Sequence, residues 1–172
     1  MANTYTLISS NVLSTAAASV TFSSIPATYT DLVLRFSSRS DVGSAGLTLY
    51  LSPNGSTAND STTILWADGT SAFSTRFSAT GIGLYMGWVN GTRTTNTFSS
   101  AEIYIPNYSG STNKVFSSAI AEESNSTADT RISATAGLWS NTAAITSLIV
   151  KISAGVNFVS GSSFYLYGIS KN

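Results

Sequence analysis

The chain has 172 residues, no cysteine, no histidine, and eight basic against eight acidic residues, so its formal net charge is zero. Without His or Cys there is no Ser-His-Asp triad, no Cys-His pair, no disulfide and no conventional zinc site. Charged residues make up only 9%, and neither a nucleic-acid partner nor an anionic membrane is implied, because both call for clustered Lys or Arg.

The length suits one domain spanning 1–172, large enough to hold a core without staples. Ser and Thr supply about a third of the residues. A surface made polar by hydroxyls, with net charge near zero, has little electrostatic protection against association, so an assembled state is expected. No apolar run approaches the ~18 residues of a membrane span. Met1-Ala2-Asn3-Thr4 lacks the basic and apolar regions of a signal peptide, which leads to an expectation of cytoplasmic synthesis.

In chain order, Thr4 to Ile8 reads as a short strand broken by Ser10-Asn11. Ala18 to Phe22 alternates small or apolar with hydroxyl residues, the two-residue period of a half-buried strand. Ile25-Pro26 closes it. Asp31 to Ser37 sets Leu32, Leu34 and Phe36 on one face and Val33 and Arg35 on the other. Leu47 to Leu51 resumes the alternation before the turn Pro53-Asn54-Gly55. Ser56 to Ser61 is polar loop, Ile64-Leu65-Trp66 a short apolar run, and Asp68-Gly69 a turn before Phe73 to Phe77. Gly81 to Trp88 carries glycines that suit bulges rather than a phosphate loop, since no helix follows. Asn90-Gly91 is a turn signal. Ser100 to Ile105 is a strand stopped by Pro106-Asn107, Val115 to Ala121 is another, and Glu122 to Thr130 is the most polar loop. Arg131 to Gly137 leads into Ala136 to Ile169, the densest apolar stretch, expected to form the wall on which shorter strands pack.

About eight to ten strands at short spacing, with no sustained helical stripe, predict an all-β antiparallel sandwich of jelly-roll type. Glu122, Glu123 and Asp129 form the one acidic cluster, which could serve a calcium site or a carboxylate pair. Adjacent glutamates on an extended chain point opposite ways, so a solvated loop is the simpler reading. Asp60 and Asp68 could converge with them only through the fold. No cofactor and no catalytic residue is implied. Among the aromatics, Trp139, Tyr165, Tyr167, Trp88 and Tyr108 are candidates for a subunit or partner interface, with core packing as the alternative. Within Phe164-Tyr165-Leu166-Tyr167 the two tyrosines share one face and Phe164 and Leu166 the other. Arg35, Arg39, Arg76, Arg93 and Arg131 are scattered.

Four phrases carry a resemblance: Ile25-Pro26-Ala27-Thr28-Tyr29-Thr30-Asp31-Leu32, Ala101-Glu102-Ile103-Tyr104-Ile105-Pro106-Asn107-Tyr108, Gly137 to Thr146, and Tyr165-Leu166-Tyr167-Gly168-Ile169-Ser170-Lys171. Together they span most of the chain, in order. The sequence resembles small virion surface proteins of tailed bacteriophages, a group that includes capsid decoration (cement) proteins and modules of tail fibres or receptor-binding proteins. The resemblance implies a non-enzymatic structural protein on the virion surface, a homotrimer seated on the major capsid protein. Its alternative is a tail-fibre module that recognises a host glycan through exposed aromatics. The resembling phrases read as strand and turn elements and assign no catalytic residue.

Overall fold

The computed structural model describes residues 4–42, 47–78, 94–123, 130–153 and 155–170, together with the backbone of 84–89. These residues form twelve strands and no helix: β1 (Tyr5–Val12), β2 (Ser19–Phe22), β3 (Asp31–Ser37), β4 (Leu47–Pro53), β5 (Asp60–Ala67), β6 (Ala72–Ser78), β7 (Leu84–Val89), β8 (Ser100–Ile105), β9 (Lys114–Glu122), β10 (Arg131–Trp139), β11 (Leu148–Ile152) and β12 (Ser163–Ile169). They make an eight-stranded sheet in the order β1-β12-β3-β8-β9-β10-β5-β6 and a four-stranded sheet in the order β2-β11-β4-β7. Every pairing is antiparallel.

The pairings β1 with β12, β2 with β11, β3 with β8 and β4 with β7 are those of one long hairpin. Wrapping that hairpin on itself adds β12 to β3 and β11 to β4. The result is the two-sheet, eight-strand jelly roll. Strand number reaches twelve, above the expected eight to ten, because two antiparallel pairs are added. The hairpin β5–β6 lies between β4 and β7 in sequence, and β9–β10 between β8 and β11. Both join the larger sheet beyond β8, and β7 of the smaller sheet packs over β10, β5 and β9.

The alternation read from sequence sets the core. Leu32, Leu34 and Phe36 of β3 meet Phe164 and Leu166 of β12, Ile103 and Ile105 of β8, and Leu49, Leu51, Leu148 and Val150 of the smaller sheet in one buried cluster. Phe164 lies between Phe36, stacked at 5.6 Å, and Phe158, edge-on at 5.0 Å. The apolar stretch 136–169 supplies an interior strand to each sheet, β11 between β2 and β4 and β12 between β1 and β3. Some boundaries differ from the sequence reading. β1 runs through Ser10 and Asn11, accommodated by a register shift between Leu7 and Ser9. The Ile64-Leu65-Trp66 run is the C-terminal half of an eight-residue strand that begins inside the expected polar loop, at Asp60. The Asn90-Gly91 turn and Gly81 to Gly83 lie outside the described residues.

Candidate docking face on the large sheet

A strand covered on one face should turn its apolar set inward and its polar set to water. β10 does the reverse. Ser133, Thr135 and Gly137 are buried against the smaller sheet, while Ile132, Ala134, Ala136 and Leu138 face outward. Its neighbours share the pattern in part. On β9, Lys114, Ser118 and Glu122 lie on the buried side and Val115, Ala119 and Ala121 on the open side. On β5, Asp60 and Thr62 are buried and Leu65 is open. The registers place these outward side chains in four rows: Val115-Leu138-Ser61, Ser117-Ala136-Thr63, Ala119-Ala134-Leu65 and Ala121-Ile132-Ala67. None is charged. Ile132 is 63% exposed, Leu65 57% and Val115 52%. A polar set buried beneath an exposed apolar set is the informative departure from ordinary patterning.

Two open depressions meet on this face at Ala119 and Ile132. One, of about 530 Å³, reaches Arg35, Glu102 and Tyr165; the other, of about 300 Å³, reaches Leu65, Ala67 and Ala72. The rim carries the charge. Arg35 Nε donates to Glu102 Oε2 at 2.7 Å, and this contact holds the guanidinium pKa above its ordinary value. The same guanidinium lies 5.6 Å from the Tyr5 ring centroid, and Tyr5 meets Tyr167 edge-on at 6.4 Å. Such an exposed ion pair contributes about 0–1 kcal/mol. Its effect here is to neutralise the β3–β8 border of an uncharged face, while on the β6 border Arg76 stands opposite Thr63.

The aromatic candidates separate. Tyr165 and Tyr167 are half-buried on the outer face, with Phe164 and Leu166 in the core, as the alternation requires. Trp139 is buried, and its indole N–H donates to Ser56 Oγ at 3.2 Å. Tyr108 is completely buried, so its ring is a core element and is not available to a partner or a glycan. The Trp88 side chain lies outside the described residues, as does Asp129. Glu122 is buried on β9 and Glu123 exposed beyond it, the divergence expected of adjacent residues on a strand. Among the described residues no three carboxylates gather to hold a metal ion. Trp66 is flanked rather than open. Phe73 stacks on it at 4.2 Å and the Arg131 guanidinium sits 4.9 Å from its ring centroid; a stack that close leaves the cation the opposite side.

The four resembling phrases converge at one end of the sandwich, where they form a structural knot. Asp31 Oδ1 accepts from the Asn107 backbone N–H at 2.9 Å and Oδ2 from the Tyr104 hydroxyl at 2.8 Å. The Asp31 hydrogen bond raises the Tyr104 pKa. The Tyr108 hydroxyl donates to the Pro26 carbonyl, and burial pushes its pKa up. The Tyr108 carbonyl accepts from Ile145 N–H at 2.9 Å, and Ile25 N–H donates to Thr146 O at 2.9 Å. Tyr29 lies flat against Gly168, where an added Cβ would stand 2.3 Å from the ring. Beside the knot, fully buried Lys114 donates to the carbonyls of Gly110 (2.6 Å), Thr112 and Thr142 (3.4 Å). Burial lowers its pKa. These hydrogen bonds tie the loops carrying Pro26, Asn107, Thr142 and Thr146 to one another.

Residue-by-residue reading missed the face that stands out. In sequence Leu65 belongs to a short apolar run, Ile132 to the segment leading into the apolar stretch and Val115 to a strand; the signal that could have marked them is the inward Ser133-x-Thr135 set beside outward alanines. Compared with known protein families, curated proteins and solved structures, the chain gave no match in any of the three.

Proposed function

We propose that this chain is a non-enzymatic structural protein of a phage virion, a decoration protein that seats on the outer surface of the capsid shell through the β9–β10–β5 face. The sequence resemblance supplies the setting, and the reversed polarity of β10 carries the reading. Four outward apolar positions on a strand whose hydroxyls are buried amount to a surface prepared for cover. A protein docked there stabilises the shell because separating the shell subunits must also break its contacts, by an amount that grows with the logarithm of its concentration over the dissociation constant. The central alanines leave a flat floor, and Ile132 and Leu65, diagonal neighbours across the β10–β5 pair, stand up from it as anchors.

The test uses capsids that lack the protein. Wild-type chain should co-sediment with them and raise their disruption temperature. Ile132→Lys, at a position 63% exposed, should change the thermal stability of the isolated chain by within about 0.5 kcal/mol while binding falls at least tenfold. Wild-type protein that neither joins nor stabilises such capsids would sink the reading. Binding that survives Ile132→Lys would move the docking surface elsewhere.

A further inference from the structure

We propose that β6 is a self-association edge: two copies pair their β6 strands antiparallel about a two-fold axis at Thr75, so that the large sheet runs on from one subunit into the next. The inference stands apart from the capsid reading and concerns how copies of this chain meet each other. The four sheet edges are β1 and β6 in the large sheet and β2 and β7 in the small one. Natural edges are blunted by bulges, shortness, proline or charged side chains, lysine above all. β1 carries a register shift, β2 has four residues, and the β4–β7 pairing shifts between Leu49 and Tyr50. Of these devices β6 has a single charge, Arg76, which antiparallel pairing about Thr75 places opposite Ser74 rather than opposite another arginine. The strand runs seven residues in unbroken register with β5, contains no Pro and no Lys, is exposed along nearly its whole length, and has no strand beyond it among the described residues.

The β6 sequence Ala72-Phe73-Ser74-Thr75-Arg76-Phe77-Ser78 is close to self-complementary about its centre, and this is what selects a second copy over a foreign peptide. With Thr75 opposite Thr75 of the other copy, Phe73 faces Phe77 and Ser74 faces Arg76, each pair occurring twice. Aromatic and Thr–Thr cross-strand pairs are favourable, and no two arginines stand directly opposite. Phe73 is 41% exposed and already stacked on Trp66, so the facing Phe77 would extend an existing aromatic row. An isologous contact of this kind closes at two copies. It also leaves the outward faces of both subunits on the same side of one continued sheet.

Charge placement tests the register without disturbing the core. Ser74→Arg sets a guanidinium opposite Arg76 of the other copy twice and should weaken dimerisation several-fold. Ser74→Glu makes two symmetric ion pairs there and should tighten it several-fold, an effect removed by high salt. Because the chain has no cysteine, Thr75→Cys gives a single thiol, which a short bismaleimide should convert to covalent dimer. Leu7→Cys on the β1 edge should not cross-link. Light scattering that finds a monomer at high micromolar concentration overturns the proposal. So does a trimer in which the Thr75→Cys variant fails to cross-link, or equal shifts for Ser74→Arg and Ser74→Glu. Protection of β6 amides from exchange that appears only with an added extended peptide would assign the edge to a foreign strand instead.

Discussion

At the scale of the residue, single side chains tie together segments far apart in sequence. Asn54 shows how. Its backbone sits in the left-handed region at φ 49°, next to Gly55 at 69°, as the Pro53-Asn54-Gly55 turn chemistry suggests. Its side chain then does what no local pattern announces. The amide oxygen accepts from the backbone N–H groups of Thr146 (2.8 Å) and Ser147 (3.1 Å), and the amide nitrogen donates to Ala144 O at 2.8 Å. One residue thus pins the β4–β5 turn to the segment entering β11. Asn54→Gly keeps the backbone conformation without strain and removes only the amide. It should cost about 1–2 kcal/mol in urea unfolding, a net loss typical of a few exposed hydrogen bonds. Asn54→Ala should cost about 1 kcal/mol more, because a Cβ is disfavoured at that φ. A neutral Asn54→Gly would refute the staple, and equal losses would show that the backbone conformation carries no penalty. The turn was legible at Asn54 and its long-range grip was not, because hydrogen-bond partners some 90 residues away leave no trace in spacing.

At the scale of the element, the β5–β6 hairpin is held by its turn. Asp68 accepts from the Thr70 hydroxyl (2.7 Å), Ser71 N–H (2.9 Å) and Thr70 N–H (3.0 Å), while Gly69 takes φ 89°. Those donors, the Thr70 hydroxyl first, hold the carboxyl pKa at about 2 against an ordinary 3.8. A depressed carboxyl pKa favours the folded state above the ordinary value, and the contribution disappears as pH falls through the folded one. The hairpin turn should therefore be intact at pH 5 and loosen between pH 4 and pH 2. In an NMR titration the Asp68 carboxyl carbon should report a midpoint near 2, with the Thr70 and Ser71 amide resonances moving alongside it. Asp68→Asn should abolish that response of both amides. A midpoint near 3.8 would mean that the three hydrogen bonds do not persist in solution. The turn was legible from the Asp68-Gly69 chemistry, and Phe73 to Phe77, the central part of β6, as the segment that follows it. What remained hidden was that β6 ends a sheet, since edge position depends on pairings between strands distant in sequence.

At the scale of the whole molecule, the jelly roll was legible because many short strands of period two, without a helical stripe, leave few architectures open. The docking face was not. By the ordinary rule Ile132, Ala134, Ala136 and Leu138 would turn inward; in the fold, β9–β10 and β5–β6 carry the large sheet past β8, and β10 there buries its hydroxyl set beneath β7. Extra strands on one sheet thus decide which set of side chains is left outside, and alternation alone cannot say. The uncharged character of that face makes a prediction about any complex it forms. Screening shortens the reach of charge from about 30 Å at 0.01 M salt to about 3 Å at 1 M, so an interface built on Ile132, Leu65 and the alanine floor should hardly respond. Its dissociation constant should change less than about threefold between low and high salt, and calorimetry should give a negative heat-capacity change from apolar burial. Arg35→Gln with Glu102→Gln, which removes the rim ion pair, should leave that salt response flat. A steep weakening with salt would instead assign the contact to Arg35, Glu102 and Arg76 at the borders and leave the apolar floor uncovered.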